Sequence, residues 1–158
     1  RMHAVQPSRC DPFVGGWETY LKTGKFELKR VENPTSIAQT LCVAIPANAD
    51  QGFDVLKKSS GSAVAVSEDE ITEGMSLVSH YTKKYGTGPV GGVVIAGTRK
   101  LIQNGVIKPD ELTVLVLTDG YKIGRGEIKG GKGGKILILE REDAVVKQTL
   151  EKILAGEI

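Results

Sequence analysis

The sequence predicts an α/β fold built in three layers around a mainly parallel sheet. Strand-like runs at 62–66 (SAVAV), 112–118 (LTVLVLT) and 135–139 (KILIL) alternate with helix-like segments, the order that gives a layered α/β architecture. The run at 112–118 has no polar alternation, as expected of a parallel strand covered on both faces. The segment ahead of it, 89–104, contains Gly91, Gly92, Ala96 and Gly97. Residues with so little bulk let another backbone, or a ligand, approach closely.

In chain order, residues 3–6 are short and β-like. Asp11 caps a helix with Pro12 in its first turn, Phe13, Trp17 and Leu21 form its apolar face, and Gly24 ends it. A charged connector covers 26–31. Residues 33–36 (NPTS) open a second helix, SIAQTLCVAI, apolar enough to be mostly buried and stopping before Pro46. A third, short helix runs through FDVLKKS and ends at Gly61. After the strand at 62–66, Ser67 and Glu70 form a capping box, and Ile71, Met75, Val78 and Tyr85 give the next helix its core face. The small-residue helix follows, with Thr87 as cap, Pro89 in its first turn and Gly105 at its end. Each glycine inside it costs roughly 1 kcal/mol against alanine, so packing must compensate. Residues 122–135 read as a mobile Gly/Lys-rich loop, 135–139 as a strand, and 142–155 as an amphipathic helix through Ala144, Val145, Leu150, Ile153 and Leu154. Residues 123–158 thus read as a Gly/Lys-rich loop plus a C-terminal strand and helix, following the part of the chain at 1–122.

At 158 residues, 40% of them apolar and 25% charged, the chain is most simply one domain that buries about 70% of its unfolded surface. A net charge of +2 implies neither nucleic acid nor membrane as a partner. The positive excess is local: Lys122, Arg125, Lys129, Lys132 and Lys135 face only Glu127 in their neighbourhood. Without interleaved aromatics this loop is a poor nucleic-acid surface. No apolar stretch approaches the roughly 18 residues needed to span a bilayer, and the N-terminus lacks an apolar signal core. Two cysteines, Cys10 and Cys42, make no disulfide framework, and a reducing cytoplasm is expected. The opening RMHAVQP enters an apparent strand almost at once, as a fragment or one half of a larger domain would.

Several motifs invite a chemical reading. GTGPVG at 86–91 opens a helix, and its amides are suited to an anion. A dinucleotide site needs a strand immediately ahead of it, whereas SHYTKKY reads as helix; a plain glycine turn is the simpler reading. GEIKGGK at 126–132 resembles a P-loop, but Gly133 stands where Ser or Thr is required and a strand follows instead of a helix. His3, Cys10, Cys42 and His80 show no metal-ligand spacing; His80 is expected to be exposed, and Cys42 to be a small core residue. In open α/β sheets ligands bind beyond the carboxyl ends of strands. Thr118, Asp119 and Gly120 occupy that position after LTVLVLT. A Thr-Asp-Gly turn with no ligand reads the same way.

Four segments taken in order (VQPSRCDPF, NPTSIAQTLCVAIPAN, AVAVSEDEI, and the long GPVGGVVIAGTRKLIQNGVIKPDELTVLVLTDGYK) resemble the C-terminal part of the threonine synthase family and its relatives among fold type II pyridoxal-phosphate enzymes. The resemblance spans about Met2 to Lys122 and implies that the chain is part of such an enzyme's large domain. It implies that Thr118 bonds the cofactor's pyridine nitrogen, with Asp119 and Gly120 beside the cofactor. A neutral partner there suits β- or γ-replacement and elimination. Pro89 and Gly91 match the start of the helix after the active-site segment, although Gly91 replaces the usual serine and Gly88 the usual acidic residue. TDGYK is one residue shorter than the family's TGxGLK, so Lys122 aligns only approximately.

The resemblance further implies phosphohomoserine as substrate, with loss of phosphate and addition of water to give threonine. The paralogous cysteate synthases, which use phosphoserine and sulfite, fit as well, and their anionic reactants suit the basic loop. The family's cofactor-binding lysine and phosphate loop lie in its N-terminal part. The isolated chain is therefore expected to be catalytically silent, to hold pyridoxal phosphate weakly or not at all, and to associate with an N-terminal half, a second chain or itself. A non-catalytic module binding phosphorylated metabolites is the rival from another class.

Overall fold

A computed structural model describes residues 1–82, 85–108 and 110–122, distributed over two compact units, Arg1–Glu68 and Asp69–Ile158. Both units combine strands with helices, and the chain is α/β as its alternating segments predict. The expected loop at 123–135, the strand at 135–139 and the helix at 142–155 lie outside the described residues.

In the first unit, β1 (His3–Pro7) runs parallel to β2 (Ser62–Val66) in the register His3↔Ser62 through Pro7↔Val66. One more bond, from the Ser8 amide to the Val66 carbonyl at 2.7 Å, extends the ladder past the proline, which has no N–H to give. Between the strands come α1 (Pro12–Thr23) and α2 (Ala49–Lys58). Pro12 does open α1, and Gly24, at φ 76°, ends it by donating its amide to the Tyr20 carbonyl. The capping side chain is not that of Asp11, which makes no cap bond. Instead Gln6 Oε1, on β1, accepts from the Phe13 and Val14 amides at 2.9 and 3.1 Å. Strand and helix are thereby tied at the point where the chain turns.

The buried face of α1 is Phe13, Val14 and Trp17. The expected third member, Leu21, is 66% exposed, because the core closes over the first turns only. Phe13, Trp17, Tyr20, Phe26 and Phe53, five of the eight aromatic residues in the chain, form one cluster around Phe53, with Phe26 stacked on it at 4.4 Å and Tyr20 edge-on at 4.8 Å. Aromatics are scarce in this protein but concentrated here, where each edge-to-face or stacked pair adds roughly 0.5–1.5 kcal/mol to its burial.

The second helix expected over 36–45 is absent. The segment holds a single 3-10 turn, Gln39–Leu41, and Ile37, Val43 and Ile45 are each nearly half exposed. Its apolar residues have no second surface in this unit to pack against, and a short isolated helix is marginal without one. Cys42 consequently ends a turn, half-buried, instead of sitting in a core helix; the buried thiol is Cys10. Burial pushes the Cys10 thiol up from its ordinary value, with neighbouring Cys42 acting in the same direction, so Cys10 is no activated nucleophile.

In the second unit, α3 (Glu68–Thr82) and α4 (Pro89–Gln103) meet backbone to backbone. A Cβ on Gly74 would lie 2.5 Å from the Gly92 carbonyl oxygen, and one on Gly92 would lie 2.6 Å from that of Ile71. The small residues of α4 serve this close approach by another backbone. Ion pairs Arg99–Glu73 (3.1 Å) and Lys100–Glu70 (3.3 Å) bridge the same two helices. Tyr85 does not belong to α3, as its spacing suggested, but opens β3 (Tyr85–Thr87). This strand is antiparallel to β4 (Gly120–Lys122), with Thr87 opposite Gly120. His80 is exposed, as expected.

The largest departure concerns residues 112–118. Instead of a buried strand within a parallel sheet, they form an extended segment with no backbone ladder among the described residues. Leu112, Val114 and Val116 are 95%, 80% and 52% exposed, and only Leu117 is buried. Its composition suits a covered strand, but the described residues supply no neighbours to cover it. No described helix is long and apolar enough to cross a membrane.

Candidate functional site

The strand end, the Thr118–Asp119 turn and the start of α4 converge on one carboxylate. Asp119 Oδ1 accepts from the Thr87 hydroxyl at 2.9 Å and from the Gly91 amide at 2.8 Å, and Oδ2 accepts from the Val90 amide at 2.8 Å. The Gly88 amide donates to the Asp119 carbonyl at 3.2 Å, and β3–β4 pairing continues from there. Orphan amides at a helix start, carrying the positive end of the helix dipole, attract an anion. GTGPVG thus does hold an anion through its amides, but the anion is Asp119, supplied from some thirty residues downstream.

Local chemistry explains why this arrangement can form. Pro89 at the first helical position fixes φ and removes one amide that would otherwise need a partner. Gly88, the residue before the helix, contributes no side-chain cap. Thr87, the expected cap, is only 1% exposed and spends its hydroxyl on Asp119. A Cβ on Gly88 would collide with the Asp119 carboxylate, and one on Gly91 with the Thr87 hydroxyl. The carboxylate therefore fits only because both positions are glycine.

The three residues singled out at the strand end separate into distinct places. Thr118 is exposed in the turn, between buried Leu117 and anchored Asp119. Asp119 is half-buried with its carboxylate committed to α4. Gly120 opens β4 opposite Thr87. Of these three, Thr118 alone carries a hydroxyl, and its side chain is open to solvent. Thr87, Gly88 and Gly91 complete this constellation, and no local pattern identifies them as partners of Asp119, since the contacts span 28 to 32 residues. The available signal was an anion cradle at 86–91 and an aspartate after the next apolar run, which the resemblance places beside the cofactor instead.

The GTGPVG segment is no dinucleotide site. SHYTKKY is helical through Thr82, as read, and the strand that begins at Tyr85 is three residues long and antiparallel to its partner, not the parallel opening strand of such a unit. The P-loop-like stretch at 126–132 lies outside the described residues. Among the described residues, no three His, Cys, Asp or Glu side chains cluster as metal ligands.

The family described as "Pyridoxal-phosphate dependent enzyme" matches residues 1–119. A threonine synthase of Methanocaldococcus jannaschii is 32% identical over 118 residues, 75% of this chain and 28% of that protein. A threonine synthase of Methanosarcina acetivorans is 31% identical over 121 residues, covering 77% and 28%. A cysteate synthase of Methanoregula boonei is 29% identical over 126 residues, covering 76% and 30%. The chain spans less than a third of the length of these curated relatives. With three-quarters of its length matched, the chain belongs to the pyridoxal-phosphate-dependent enzyme family.

Proposed function

We propose that the chain forms one wall of the cofactor site in a threonine-synthase-like enzyme acting on a phosphorylated amino acid, with Thr118 as the cofactor contact. The observation that carries this reading is the presentation of Thr118. Its hydroxyl is exposed at the end of an extended run, while Leu117 and Asp119 on either side are fixed by burial and by three hydrogen bonds. A neutral hydroxyl can donate to a heteroaromatic nitrogen without placing a charge there, which suits the pyridine ring of the cofactor.

The remaining parts of pyridoxal phosphate fit this chain less well. The amides at the start of α4 that could cradle its phosphate are taken by Asp119. The described lysine side chains are exposed or, in Lys100, paired with Glu70, and none has the desolvated setting that activates an amine. When bound, the cofactor supplies the electron-withdrawing ring that acidifies the substrate's α-carbon. This chain contributes the hydrogen bond from Thr118 and the rigid turn that holds it. The isolated chain holds the cofactor weakly or not at all, because one wall does not offset the entropy lost on binding.

Phosphohomoserine is the proposed substrate, with phosphate eliminated and water added. The relatives named threonine synthase support it, and the cysteate synthase relative supports the shared class, a phosphorylated amino acid. The test joins this chain to the portion of a threonine synthase relative that it does not match and compares phosphate release from phosphohomoserine with that from phosphoserine plus sulfite. In the same protein Thr118→Val should keep the fold while lowering turnover and shifting the visible absorbance of bound cofactor. Unchanged absorbance and turnover would return Thr118 to an ordinary turn residue. A stoichiometric, borohydride-reducible adduct at one lysine of the isolated chain would overturn the one-wall reading.

A further inference from the structure

We propose that Cys10 and Cys42 are a reversible disulfide pair, a modification site at which a small-molecule disulfide oxidises the chain and pins residues 36–45 to the turn after β1. The sequence carries these two cysteines and no others, and their spacing alone suggests no bridge. The fold brings them together within the first unit. Cys10 lies in the turn that follows β1, where its amide donates to the Pro7 carbonyl at 2.9 Å, and it is fully buried. Its Sγ donates to the Leu41 carbonyl at 3.8 Å, a contact across 31 residues that ends one residue short of Cys42.

Cys42 closes the 3-10 turn Gln39–Leu41, its amide donating to the Gln39 carbonyl at 3.0 Å and its Sγ to the Ala38 carbonyl at 3.9 Å. The two thiols are neighbours: after burial, the largest influence raising the Cys10 thiol is Cys42. A disulfide needs a sulfur–sulfur bond of about 2.0 Å and Cα atoms about 4.4–6.8 Å apart, so the backbone must yield as the bond closes. An α-helix at 36–45 would resist that movement. The segment is irregular instead, tied through the Ile37 amide to Glu68 Oε2 at 2.8 Å and through the Ala44 carbonyl to the Val31 amide at 3.4 Å. A bridge at Cys42 adds a covalent tie between these two points, in a segment whose Ile37, Val43 and Ile45 are nearly half exposed. None of the residues assigned to the cofactor wall takes part.

The pair is asymmetric, which sets the order of events. Cys42 is half-buried and Cys10 fully buried, so a dissolved oxidant meets Cys42 first. The Cys42 thiolate, its proton released to water, attacks one sulfur of the small disulfide; that S–S bond breaks and one thiolate leaves. Cys10 then gives up its proton and attacks the Cys42 sulfur, displacing the second thiolate. Two protein thiols are oxidised to one disulfide, and the small disulfide is reduced to two thiols that take up the two protons. Excess dithiol runs the same exchange backwards.

The experiment treats the reduced full chain with oxidised glutathione and digests it with trypsin without reduction. Cleavage after Arg9, Lys22, Arg30 and Lys57 leaves the bridge as one species joining peptides 10–22 and 31–57. In the unsubstituted chain this species should exceed disulfide-linked dimers by about 10-fold or more. In Cys10→Ala the mixed disulfide at Cys42 should accumulate about 10-fold above its level in the unsubstituted chain, because nothing resolves it. In Cys42→Ser, Cys10 should react about 10-fold more slowly than Cys42 does in Cys10→Ala, and urea should erase that difference. Hydrogen exchange of the peptide covering 36–45, read after reduction in the acid quench, should slow about 10-fold or more on bridging and recover with dithiol. Arrest of the unsubstituted chain at the mixed disulfide, a dimer as the main product, equal rates at the two cysteines in the folded chain, or exchange at 36–45 unmoved by bridging refutes the proposal.

Discussion

Replacing Asp119 by alanine removes the single acceptor of three donors: the Thr87 hydroxyl and the Val90 and Gly91 amides. Loss of a helix cap costs about 0.5–2 kcal/mol. Stranding a buried donor adds about 1–3 kcal/mol, and Thr87 is only 1% exposed. Water can reach part of the half-buried site, so the terms do not add in full; the expected loss is about 2–4 kcal/mol. Asp119→Asn keeps one acceptor oxygen and should lose about half as much. The readout is exchange protection of α4 together with urea unfolding followed by circular dichroism. Trp17, in the first unit, supplies a fluorescence reference that should not move. The clamp also predicts coupling. Gly88→Ala sends its methyl into the carboxylate and should cost about 1–3 kcal/mol in the native background, but under about 1 kcal/mol beside Asp119→Ala, a coupling that a double-mutant cycle resolves. An Asp119→Ala loss below about 0.5 kcal/mol, or strict additivity with Gly88→Ala, would refute the clamp.

Three further outcomes are expected. Gly74→Val drives α3 away from the Gly92 carbonyl and should cost about 3 kcal/mol or more, with exchange protection lost from both helices. Gln6→Leu leaves the Phe13 and Val14 amides without their acceptor and should lower the urea midpoint read by Trp17 fluorescence by the equivalent of about 1–2 kcal/mol, whereas Gln6→Glu should largely retain it. Burial holds the Asp11 carboxyl above its ordinary value, so the folded state binds the proton more tightly and stability falls as pH rises through the window from the unfolded to the folded value. Asp11→Asn should therefore gain stability at pH 7, by less than about 1 kcal/mol, and show no gain below pH 3; equal effects at both pH values would remove ionisation as the cause.

What the sequence revealed tracks the range of the forces involved. Pro12, Gly24, Pro89 and the SAVAV strand act through neighbouring residues, and those boundaries fall close to where local chemistry puts them. Both N-terminal caps escaped the reading for the opposite reason. Asp11 and Thr87 have capping side chains at plausible positions, yet Gln6 and Asp119 do the bonding from the neighbouring strand and from a distant turn. Residues 36–45 and 112–118 were misplaced because apolar composition records the environment a segment is suited to. It does not record whether the same chain supplies that environment, and among the described residues Ile37, Val43, Leu112 and Val114 stay exposed. Thr118 was singled out from its position after an apolar run and from the resemblance; the anchoring of Asp119 beside it needed the fold.

The origin of the α4 cap after residue 118 has a consequence for vectorial folding. During synthesis α4 leaves the ribosome before the aspartate that completes it, and Gly91, Gly92 and Gly97 make it a poor helix on its own, by about 1 kcal/mol each. Contact with α3, already made, can hold its middle through Gly74 and Gly92. Its first turn stays open until the extended segment has emerged and brought Asp119 back. Closure of that turn therefore fixes the end of residues 112–118 in the same event, so the extended segment gains its second anchor only once the first turn of the helix is finished.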